Sequence, residues 1–220
     1  MGGLLLAVAA ALCLLAFLLD FPLPAMNSTD PPGVRAARVV AAAAAFRTVG
    51  VLGILRALSL ALASALLAVQ APALAGSRFW RGTSAVAWRL VLLSAVLFLA
   101  VDLFNAFALI PLARAATIGR PDSYAFAAAT ELGIVGGAVL LLSIGVLLIF
   151  MVETAGHHRR IGSGWIAFGL VAAAIGIPGG IGVILNQPKL AMLRVVAYLA
   201  FVPLLRLGIR LAAGPGSSRS

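Results

Sequence analysis

"LFLAVDLFNAFALIPLARAA", residues 97–116, reads as the interior and end of a membrane-spanning helix, with Asp102 and Asn105 placed where lipid should be. An isolated charge at the centre of a spanning helix costs about 2.5–3.5 kcal/mol on insertion scales, so such residues turn inward to a partner or a cavity. Three positions apart on an α-helix, Asp102 and Asn105 share one face, and Phe98 joins them one turn earlier. The stretch therefore predicts a helix packed among other helices rather than one surrounded by lipid.

The whole chain supports that setting. Of its 220 residues 63% are hydrophobic and only 10% charged, and its mean hydropathy is +1.16. A soluble domain is nearer half apolar and about a quarter charged, and a globule of this size has too much surface to hide the difference. The expected fold is all-α, a polytopic integral membrane bundle of six transmembrane helices. It forms one domain over residues 1–212, followed by a disordered Gly/Ser tail over 213–220. Cys13 is the only cysteine, which excludes an intrachain disulfide and any framework of paired cysteines.

At about 20 residues per crossing, six segments qualify. The first, Leu4 to Leu19, is uncharged and stops at Asp20-Phe-Pro-Leu-Pro. It lacks the basic start and small-residue cleavage site of a signal peptide and is read as an uncleaved span. A proline-rich loop follows, containing Asn27-Ser28-Thr29. The second region, Ala36 to Val69, is too long for one upright span: either a tilted helix or a short interfacial helix leading into a span from about Val49. The others run from about Trp88 to Leu112, Phe126 to Val152, Trp165 to Leu185 and Leu193 to Leu211. Trp80, Trp88 and Trp165 fall near segment starts, where indoles favour the interface.

The net charge is +10, and 15 of the 16 basic residues are arginine. They are scattered near the ends of apolar runs, with no basic stripe interleaved with aromatics. Anionic lipid headgroups are the expected contact, and nucleic acid is not. Six spans put Arg78, Arg81, Arg89, Arg159, Arg160, Arg210 and Arg219 on one side. Arg35, Arg38, Arg114, Arg120, Lys189 and Arg194 fall on the other. This narrow excess places both termini in the cytoplasm. The near-chargeless first span, the Pro/Asn loop, the helix start "VAWRLVLLSAVLFL" and the turn "RRIGSGWIAFGLVAAAIGIPGG" together resemble a family of uncharacterised bacterial multi-pass proteins, a domain of unknown function. The resemblance implies about six helices in a bacterial inner membrane and carries no reaction, cofactor or catalytic residue.

Arg56 lies inside the second region and is the expected partner of Asp102, with Asn105 filling a remaining hydrogen bond. Arg47, nine residues earlier at about 100° per residue, belongs to the opposite face and reaches the interface. The pair either fixes helix register or binds a cation, proton or polar ligand. Glu131, about one turn into the fourth span, is a further candidate for an ion or ligand. The fifth span holds a candidate helix break at Pro178, Gly179 and Gly180. It would either line a cavity or form a close-packing face, with Gly176 and Gly180 spaced as GxxxG and Gly133 and Gly137 as a matching pair on the fourth span. His157 and His158 diverge on a helix, so a metal site with Glu153 is disfavoured.

No phosphate loop, nucleophile motif or paired-carboxylate set is present, so no catalytic residue is assigned. The leading expectation is a small helical bundle that binds or passes a small ligand or ion through its core. The rival is an accessory or assembly subunit contacting a membrane-protein partner or a second copy. A membrane-embedded lipid-modifying enzyme comes third.

Overall fold

A computed structural model describes residues 1–20, 30–74, 78–119, 121–155 and 161–213. The described residues are all-helical, without strands: α1 (Gly2–Asp20), α2 (Pro32–Ala41), α3 (Ala43–Leu74), α4 (Arg78–Leu103), a π-helical turn (Phe104–Ala108), α5 (Leu109–Thr117), α6 (Pro121–Ala155), α7 (Ser163–Ile184), α8 (Pro188–Ala191), α9 (Arg194–Leu199) and α10 (Phe201–Ala213). Five stretches are long and apolar enough to cross a membrane: Ala43–Gln70, Phe79–Thr117, Asp122–Ala155, Ser163–Ile184 and Pro188–Ala213. The apolar part of α1, Gly2–Leu18, is shorter.

Neighbouring helices in the chain pack against each other, as short connections require. α3 lies on α4, α4 on α6 and α6 on α7, while α1 fills the groove between α3 and α10. Two apolar clusters result. The larger draws on α1, α3, α4, α6, α7, α9 and α10, with Leu6, Cys13, Val91, Phe150 and Phe201 almost fully enclosed. The smaller joins α2, the start of α3, α5 and the start of α6 through Val39, Phe46, Ile110, Ala113 and Tyr124.

The second region resolves into two helices that meet at Ala42, where the backbone leaves helical geometry (φ −102°, ψ 22°). The junction falls earlier than Val49. Its short leading helix, α2, is amphipathic, burying Ala36 and Val39. The last stretch is not one regular helix either. It breaks near Ala200, where Pro203 in the first turn of α10 has no N–H to donate to Leu199.

The break expected at Pro178, Gly179 and Gly180 does not interrupt α7, which stays α-helical from Ser163 to Ile184. Losing one N–H removes a single helical bond, and close neighbours on two sides keep the segment helical. A Cβ on Gly180 would come within 2.8 Å of the Leu140 backbone nitrogen on α6, and one on Gly179 would overlap the backbone at Arg194. The α6 partner of Gly180 is Gly136, whose carbonyl oxygen lies 3.0 Å from that Cβ position. Gly133 has open space in front of it and Gly137 only an ordinary contact with Leu97. The helix ends at Asn186, left-handed at φ 52°. There Gln187 N–H donates to the Gly182 carbonyl at 2.7 Å, a C-terminal cap that needs an αL residue.

Candidate functional site

α3 and the end of α4 bring Arg56 and Asp102 together inside the apolar stretches Ala43–Gln70 and Phe79–Thr117. Arg56 Nη2 donates to both carboxylate oxygens of Asp102, at 2.9 Å to Oδ2 and 3.2 Å to Oδ1. Both residues are buried, at 7% and 6% exposure, whereas Arg47 on the opposite face is exposed. In a low dielectric the attraction is strong, and pairing keeps two isolated charges out of lipid. The Phe98 ring lies beneath the guanidinium, 5.2 Å from its centre, and adds a cation–π contact.

A notch in α3 seats the carboxylate. A Cβ on Gly53 would overlap the Asp102 carboxylate, and one on Gly50 would lie 2.8 Å from the Ala106 backbone nitrogen. Gly50, Gly53 and Arg56 recur every three residues, so they form one face of α3. Sequence reasoning passed over the two glycines, although that spacing from Arg56 was a readable signal.

The π turn explains where Asn105 goes. Buried positions along α4 follow Trp88, Val91, Ala95, Phe98 and Val101–Asp102, and a continuous α-helix would next bury Asn105, Leu109 and Leu112. The buried residues are instead Ala106, Leu109–Ile110 and Ala113, one residue later. The π turn, closed by Leu109 N–H donating to the Phe104 carbonyl, inserts that residue. Pro111 supplies a cause, because it has no N–H for the Phe107 carbonyl and its ring crowds that group. Asn105 is therefore half-buried, turned from the face of Asp102, and among the described residues no hydrogen bond joins it to the pair.

Glu131 belongs to a different neighbourhood. It is half-buried on α6, where it and Arg35 act electrostatically on the buried Tyr124. Pro178, Gly179 and Gly180 form helix–helix contacts away from Arg56. Two further side chains do approach the pair: Cys13 of α1 and Tyr198 of α9 feel its charge and border the same cleft. Ala57, Leu60, Phe98 and Phe201 complete the walls, and Tyr198 stacks on Phe17 at 5.5 Å. No spacing in the sequence links Cys13 or Tyr198 to Arg56, so only the fold reveals them. The cleft has about 10 Å³ of free room, about one water molecule.

Trp88 is buried among the helices at 3% exposure. It joins Ser84 and the buried Glu153 around a second small cleft between α4, α6 and α10. Trp165 is more exposed and carries Arg206 over its ring at 5.3 Å. Among the described residues no three His, Cys, Asp or Glu side chains gather as a metal site. His157 and His158, Asn27-Ser28-Thr29 and the tail over 214–220 lie outside the described residues.

What these features define is a chain that is all-helical in its described residues, with five stretches able to cross a membrane and a buried charge pair between two of them. No family model, curated protein or solved structure matches the chain.

Proposed function

We propose that the chain is a multi-pass protein of a bacterial inner membrane, with six spans and both termini cytoplasmic, whose core binds or passes a small ligand or ion at Arg56–Asp102. The observation that carries this reading is the built seat of the pair. Two charges sit inside apolar stretches, in a notch that only glycine allows, beside a cleft bordered by a thiol and a phenol. A sixth span is supported by α1, whose 19 residues extend about 28 Å at 1.5 Å per residue, close to the hydrocarbon thickness. The bacterial setting rests on the bias toward arginine over lysine and toward alanine, the composition that a GC-rich genome encodes. Exposed Arg47, Arg81 and Arg210 near helix ends suit anionic headgroups.

Native mass spectrometry of the full chain in lipid nanodiscs tests the binding reading. A retained small molecule that Asp102→Asn loses while the protein stays folded supports it. A stoichiometric second polypeptide instead favours an accessory subunit, a reading favoured by the narrowness of the cleft, which leaves the pair room for little more than one water. A C-terminal reporter active only outside the cell would overturn the assigned orientation.

A further inference from the structure

The inner stripe of α5 is compatible with two rotational settings, and the fold uses one. In the observed setting Ala106, Leu109, Ile110, Ala113 and Ala116 are buried and Arg114 is exposed. Without the π turn, the stripe of α4 would continue through Asn105, Ala108, Leu109, Leu112 and Ala116. Apart from Asn105 that stripe is also wholly apolar, and at about 100° per residue it points Arg114 directly outward. Neither setting buries a charge, so hydrophobic patterning does not choose strongly between them. A π turn is the element that can add or remove one residue of phase without breaking the helix.

The surroundings permit the change. α5 packs against α2, the start of α6 and the π turn, and α2 is a ten-residue helix joined to α3 through the non-helical Ala42. The Gly50 notch faces the backbone of Ala106, within the π turn itself. One polar group distinguishes the settings. In the continuous helix Asn105 stands three residues from Asp102 on the same face, where its amide N–H can donate to the carboxylate that Arg56 already holds.

We propose that α5 is a two-position element: conversion of the Phe104–Ala108 turn from π to α rotates it by about one residue and brings Asn105 onto the Arg56–Asp102 pair. This goes beyond the binding reading, because it does not depend on what the core holds. Packed elements with two discrete arrangements are how a local change in a core becomes a movement at its end. Here the polar change lies mid-membrane and the movement lies in α5 and α2.

Distance measurement between two spin labels tests it, on the full chain in lipid nanodiscs. The labels go on Ala115→Cys and Val171→Cys, both exposed, with Cys13→Ala removing the buried native thiol. A rotation of about 100° moves a label standing about 8 Å from the helix axis by on the order of 10 Å, so the wild-type sequence should give two distance populations. Asn105→Leu removes the polar gain of the continuous helix and should leave one. Deleting Phe107 removes the extra residue itself and should leave the same single population, because the observed face of α5 is then already in phase. One wild-type population, shared by both variants, overturns the proposal. So do two populations that persist unchanged in both.

Discussion

The stretch Phe79–Thr117 and helix α7 depart from regularity in opposite ways. α7 holds Pro178 and four glycines between Gly176 and Gly182, and it remains an unbroken α-helix. Phe79–Thr117 has only Gly82, in its second turn, and its one proline is Pro111, yet it is the one that switches to π geometry. The difference lies in what each glycine or proline meets. In α7 Gly180 faces backbone on α6, Gly179 and Gly182 face backbone at Leu190–Arg194, and Gly176 faces the side chains of Ser143 and Ala197, so the glycines bring helices together and the packing keeps the helix continuous. In the other stretch the buried face of α5 lies one residue out of phase with the stripe on α4, and the π turn joins the two. The π turn follows phase, whereas the break near Ala200 follows Pro203.

The largest expected effect is at the seat of the charge pair. Gly53→Leu should expel the Asp102 carboxylate and separate α3 from α4. Leaving a buried charge without its partner costs about 3–5 kcal/mol, and lost packing adds to that, so little folded protein should survive purification. Wild-type yield and an unchanged thermal melt would mean that the notch does not seat the pair. Asp102→Leu alone should cost about 3–5 kcal/mol by the same rule, whereas Arg56→Met with Asp102→Leu should regain most of it. A double-mutant cycle on denaturation in detergent checks this. Additive losses would show that the two charges are not coupled.

Single-residue deletions separate the two regions next. Removing Phe107, which is 69% exposed, should straighten Phe79–Thr117 into continuous α-helix while α5 keeps its face, with little change in Tm. Removing Ile177 from α7 should rotate Gly179, Gly180 and Gly182 about 100° from their contacts and abolish folding. Equal tolerance of both deletions would show that α7 is not fixed by its glycine face.

Much of this was legible in the chain. The apolar runs locate the long helices, with the start of α4 the one large miss among the described residues, and the placing of Arg56 and Arg47 on opposite faces follows from helical geometry alone. The pairing of Arg56 with Asp102 follows from the high cost of charge in lipid, which leaves few alternatives. Asn105 was misplaced because a one-residue phase shift leaves no mark in composition: Leu112 and Ala113 are equally acceptable inside. The GxxxG spacing pointed to Gly133 and Gly137, but which of several glycines is used depends on the rotation of α6, and the contact falls to Gly136. The apolar run points to a helix start at Trp88, but α4 begins ten residues earlier, at Arg78, and the indole is buried among the helices.

The smallest effect concerns the two prolines, and it sharpens the contrast most finely. Pro178→Ala restores one backbone donor to a helix that is already continuous, so it should stabilise by about 1 kcal/mol, the net worth of one hydrogen bond, without altering the packing of α7. Pro111→Ala restores a donor for the Phe107 carbonyl, but the α4 and α5 stripes stay out of phase in the observed packing. The π turn should therefore survive with its preference weakened rather than removed. Amide hydrogen exchange over residues 104–112 reads the difference. Slower exchange with α5 still buried through Ala113 fits phase as the main cause, whereas full conversion to α-helix would make Pro111, and not the mismatch of stripes, the origin of the turn.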